Sequence, residues 1–153
     1  MKNSSVGKVS ALVALTLAIS GCASNRTAPS NSASEGPRII ESRVQPEKIE
    51  LNNYFQAKQP NQIFAEVQDW KSEVNNVHVQ FLNVPMNIPM QRVSGTTWRA
   101  ELSTDQLKKL AVSGKTMKYR ANIIAQDANG LVSSSYKPVE ISVEAPDAVQ
   151  NSG

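Results

Sequence analysis

Chemistry requires side chains that can attack, ionise or hold a metal, and this chain offers few of them. It has one cysteine, Cys22, and one histidine, His78, with 13 acidic residues spread over 153 positions. A thiolate is a strong nucleophile that is readily alkylated, and Cys22 follows the small residues Ser20 and Gly21. His78 is the one side chain suited to proton transfer near neutral pH. It sits between Val77 and Val79 on the outward phase of an alternating stretch, where a solvated surface histidine is expected. A serine hydrolase would have to use it, yet there is no Gly-x-Ser-x-Gly elbow. Zinc lacks its usual Cys/His set, and neither a phosphate loop nor a dinucleotide fingerprint occurs. No pair of acids is singled out for two-carboxylate hydrolysis. The residues therefore predict a non-enzymatic protein with no dissociable cofactor.

Two weaker constellations concern binding. Asp69, Asp127 and Asn129 close two strand ends, and oxygen ligands at one pole of a sandwich could hold Ca²⁺. Asp and Asn are also the usual turn formers, and no Asp-x-Asp pattern or bidentate Glu completes a cage, so no metal is expected. Tyr54, Phe55, Phe64 and Trp70 lie at strand ends or on an outward phase. They could stack on sugar rings or anchor a protein interface; alternatively Phe55 and Trp70 close the open ends of the sandwich. Met86, Ile88 and Met90, interrupted by Pro85 and Pro89, read as an edge strand or loop. Such an edge either extends a partner's sheet or folds back over the core.

The elements around Cys22 have a consistent order. Lys2 and Lys8 precede an uninterrupted apolar run, residues 9–19 (VSALVALTLAI), and small residues follow. This is the layout of a secretory signal. Eleven residues of helix cover about 16 Å, about half of a hydrocarbon core of roughly 30 Å, so the run is too short for a stable span. Ile19, Ser20, Gly21 and Cys22 together resemble the lipobox of bacterial lipoproteins. The resemblance implies cleavage between Gly21 and Cys22, a diacylglycerol on the Cys22 thiol and, often, an acyl chain on the new amino group. An ordinary cleaved signal would instead leave a free thiol. Two or three acyl chains, at about 0.8 kcal/mol per buried CH₂, anchor a protein effectively permanently. Ala23, not Asp, follows the cysteine, which resembles the pattern of Gram-negative lipoproteins passed to the outer membrane, facing the periplasm.

Removing residues 1–21 removes Lys2 and Lys8 but no acid, so 16 basic residues become 14 against 13 and the net charge falls from +3 to +1. The basic balance thus largely reports export, and no Lys/Arg cluster suggests a nucleic-acid groove. Residues 22–37 read as the lipidated cysteine and a flexible tether, because Ser, Asn, Ala and Pro without large apolar side chains cannot offset ordering entropy. Its fifteen residues after Cys22 would hold the domain about 20 Å from the lipid. Residues 146–153 read as a disordered tail.

Residues 38–145 form the folded unit, stabilised by its core alone, since a lipidated Cys22 leaves no thiol for a disulfide. Apolar residues recur there every second position: Ile40, Ser42 and Val44; Ile49 and Leu51; Ile63, Ala65 and Val67; Val77, Val79 and Phe81; Trp98, Ala100 and Leu102; Tyr119, Ala121, Ile123 and Ala125; then Tyr136, Val139, Ile141 and Val143. Ser103 and Gln106 have capping-box spacing and predict one short helix over residues 104–112, ended by Gly114. About seven short strands and one helical link predict an all-β sandwich. The stretch from Lys118 to Gly130, with Tyr119 opening a strand and Asp127 to Gly130 closing it, resembles the last hairpin of immunoglobulin-like and fibronectin-III-like modules in bacterial surface proteins. Gln68-Asp69 and the run from Gly95 through Trp98 to Leu102 share that likeness. It implies an immunoglobulin-like domain that makes protein contacts in the envelope, as an accessory subunit of an envelope assembly. A glycan- or peptidoglycan-binding module using Trp70 is the alternative.

Overall fold

The computed structural model describes residues 36–148. The expected signal segment, the expected lipidation site Cys22, residues 23–35 of the expected tether and residues 149–153 of the expected tail lie outside them. Among the described residues, no helix is long and apolar enough to cross a membrane. In chain order the elements are β1 (Arg38–Gln45), β2 (Lys48–Glu50), β3 (Gln62–Gln68), β4 (Val74–Phe81), β5 (Asn87–Pro89), β6 (Gln91–Ser94), β7 (Thr97–Ala100), α1 (Thr104–Leu110), β8 (Thr116–Asp127), β9 (Val132–Ser134) and β10 (Val139–Glu144).

The strands make two sheets, β1-β3-β7-β6 and β2-β10-β8-β4-β5, with β9 also paired to β8. Neighbours are antiparallel except β2, which runs parallel to β10. With β1 and β2 taken as one first strand that changes sheets, this is the order of an immunoglobulin sandwich. The change falls at the cis Gln45–Pro46 peptide. The core is what the alternation predicts: Ile63, Ala65 and Val67 face Val77, Val79, Ala121, Ile123 and Ile141, all buried. β5 is an edge strand, and Ile88 and Met90 point into the core, so the Met86–Met90 segment folds back over it.

Several expectations need correction. Ten strands replace about seven because the Met86–Met90 segment contains a strand of its own, β5, because the return strand after Gly130 is broken into β9 and β10, and because β6 forms a short strand with exposed residues where only a turn was expected. In β1 a bulge between Ile39 and Glu41 resets the alternation, so Ile39 packs on the core while Ile40 is 52% exposed. Tyr136 lies in the break between β9 and β10 and is 96% exposed, not a core residue. The ordered part starts before residue 38: Gly36 and Pro37 are buried, and a Cβ at Gly36 would meet Leu131 Cβ at 3.3 Å. At the other end the Pro146 carbonyl accepts from Gly114 N at 3.0 Å and from Ser113 Oγ at 3.3 Å, tying down the start of the expected tail.

The helix is shorter than expected. Its capping box is present: Ser103 Oγ accepts from Gln106 N at 3.3 Å, and Gln106 Oε1 accepts from Ser103 N at 2.8 Å. It ends at Leu110, because Ala111 is already extended and Gly114 falls in the turn beyond. Leu107 and Leu110 bury its inner stripe. The Tyr119 hydroxyl donates to the Leu110 carbonyl at 2.6 Å, the tyrosine-corner arrangement of immunoglobulin folds. Burial pushes the Tyr119 phenol pKa up, since an ionised oxygen there would be desolvated.

Candidate interaction surface

The two poles of the sandwich are built differently. The amino-terminal pole holds the start of β1, the turn between β3 and β4, the turn between β6 and β7 and the hairpin between β8 and β9; the pairings Arg38 with Gln68 and Val74 with Asp127 bring them together. Both aspartates there organise turns. Asp69 Oδ1 accepts from Lys71 N at 2.8 Å and Ser72 N at 3.0 Å, and Asp127 Oδ1 accepts from Asn129 N at 2.9 Å and Leu131 N at 2.8 Å. Gly130 completes the second turn at φ +84°, a region that L side chains rarely adopt. Ala128 N donates to Glu73 O at 2.8 Å and joins the two turns. Trp70 projects from the first turn, 69% exposed, with the Arg38 guanidinium 5.5 Å from its ring centroid. Leu131 and Val132 are exposed on the second.

At the helix pole side chains cover the end of the core. Phe55, at φ +61°, packs on the core from a turn held by Asn52, whose Oδ1 accepts from Tyr54 N and Gln56 N. Asn61 is buried and clamps the chain just past β7: its Nδ2 donates to Leu102 O at 3.1 Å and its Oδ1 accepts from Leu102 N at 2.8 Å. Tyr54 is the exposed aromatic of this pole.

Between the poles runs an open seam. β1 ends one sheet and β9 pairs only with β8, so each presents an unpaired strand edge. A groove of about 290 Å³ lies there, lined by Ile39, Ile40, Ser42, Ser135, Tyr136 and Lys137. Ser135 Oγ accepts from Ile123 N at 3.0 Å, so a side chain replaces the ladder where the last strand breaks. Nothing in the alternation announced this groove, but two signals were present: the adjacent pair Ile39-Ile40, of which one must face out, and a tyrosine between Ser135 and Lys137-Pro138.

The aromatic residues singled out by sequence are not brought together. Trp70 stands at one pole, Tyr54 and Phe55 at the other, and Phe64 lies on the outer face of β3 with the Arg43 guanidinium 5.0 Å from its ring. Phe55 closes an open end as expected; Trp70 does not. His78 is half-buried on the outer face of β4, paired with Pro89 and Ile124. Among the described residues no group of three or more His, Cys, Asp or Glu side chains could hold a metal ion. On the outer face of the second sheet, Lys48 bonds Glu144; that hydrogen bond, then its charge, lowers the Glu144 pKa and raises that of Lys48.

The strand order and tyrosine corner define the class: an immunoglobulin-like β-sandwich without an intersheet disulfide among the described residues. Comparison with known proteins finds no matching family model, no matching curated relative and no matching solved structure.

Proposed function

We propose that this chain is a non-enzymatic lipoprotein of a bacterial envelope, anchored through Cys22 in the outer membrane facing the periplasm. Its immunoglobulin-like domain makes protein–protein contacts as an accessory subunit of an envelope assembly. The seam between β1 and β9 is the observation that supports the contact reading. It combines two unpaired strand edges with Ile40 and Tyr136, so an extended segment of a partner gains both backbone hydrogen bonds and an apolar anchor there. The anchor reading is supported by the order of charge, apolar run and Ile19-Ser20-Gly21-Cys22.

A photo-crosslinking amino acid in place of Tyr136 tests this in intact cells. A defined protein adduct from position 136, absent when the probe replaces Tyr54, is the expected result. Equal labelling at both positions, or none at 136, contradicts it. The glycan-binding alternative rests on exposed Trp70: pelleting with purified cell wall that is lost in Trp70→Ala would favour it.

A further inference from the structure

We infer that the amino-terminal pole rests on the phospholipid surface that holds the anchor, with Trp70 as its interfacial contact. This deepens the reading of Cys22 as lipidated and rests on it. The occupant follows from where the chain enters the domain. Thirteen residues separate Cys22 from Gly36, and even fully extended they reach at most about 50 Å. Gly36 lies against Leu131, on the same hairpin as Val132, and Arg38 stacks on Trp70. The chain from Cys22 therefore joins the domain at this pole, within reach of the bilayer surface. The helix pole stands roughly 35 Å further off, the length of the twelve-residue β8.

The chemistry of the pole fits that neighbour. An indole suits the headgroup level, where its apolar body and N–H meet apolar and wet surroundings together. Leu131 and Val132 add exposed apolar surface on the adjoining turn. Arg38, over the Trp70 ring, is a cation that suits lipid phosphates. The seam with Ile40 and Tyr136 is then left open above the bilayer.

Tryptophan fluorescence of the full lipidated chain tests this, after detergent extraction and reconstitution into phosphatidylethanolamine–phosphatidylglycerol vesicles. The described domain has two tryptophans, and buried Trp98 supplies a background that Trp70→Phe isolates. The expected result is flotation with the vesicles, a blue-shifted Trp70 emission and its loss to a spin label placed near the headgroups. Flotation with Trp70 still open to iodide overturns the inference while leaving the anchor intact. So does shielding of Trp70 only after cell-wall glycan is added. A chain that fails to float overturns both this inference and the anchor on which it rests.

Discussion

The two poles of the sandwich differ in how their polar and apolar groups are satisfied. At the helix pole Asn61 closes on both backbone groups of Leu102, Tyr119 reaches the Leu110 carbonyl, the capping box is complete and Phe55 covers the core. The amino-terminal half leaves Trp70, Leu131 and Val132 in solvent, and it also holds the buried side-chain atoms without a partner in the described domain: Asp69 Oδ2, Asp127 Oδ2 and Trp98 Nε1. One pole is closed by contacts that hold the domain together, whereas the other leaves apolar side chains exposed.

Mutations at the two poles should separate these roles. The largest effect is expected for Leu110→Ala, which empties a fully buried site on α1; denaturant melts should show a loss of about 2–5 kcal/mol. Next comes Tyr119→Phe, which leaves the Leu110 carbonyl without its donor and should cost about 1–3 kcal/mol. Trp70→Ala gives up only an exposed stack with Arg38, so its cost should be about 1 kcal/mol or less. If Trp70→Ala destabilised the domain as much as Leu110→Ala, the division between the poles would fail.

Smaller effects sharpen the comparison. The lowered Glu144 pKa stabilises the fold above the ordinary value of 4.5, and that contribution is lost as pH falls through the lowered one. The raised Lys48 pKa stabilises it below 10.5, and that is lost as pH rises through the raised one. Both losses should shrink in Glu144→Gln, with stability between those limits nearly flat, as thermal melts across pH will show. The pair is exposed and the effect small. The smallest expected change is none: because Asp69 and Asp127 already serve as turn acceptors, a calcium chelator should leave the melting temperature unmoved.

Much of the sandwich was legible because a two-residue period leaves little choice of face: Ile63, Val67, Val79, Ile123 and Val143 are all buried where the alternation puts them. Local chemistry marked Ser103 with Gln106 as a helix start and Asp127 to Gly130 as a turn. What the period could not convey is where it is interrupted. The bulge after Ile39 and the break at Tyr136 each reverse a side chain, and together they make the seam. Nor does local sequence tell that Asn61 will meet Leu102, 41 residues away. The aromatics were read as lying at strand ends or on an outward phase, but whether they share an end depends on which turns the topology brings to one pole.

The central claim is that Cys22 carries the membrane anchor of a domain whose amino-terminal pole faces that membrane. The intact mass of the mature chain extracted from membranes tests it most directly. The account predicts a polypeptide beginning at Cys22 with the added mass of a thioether-linked diacylglycerol and an N-acyl chain. A chain beginning elsewhere, or a Cys22 thiol that still reacts with maleimide, would contradict it.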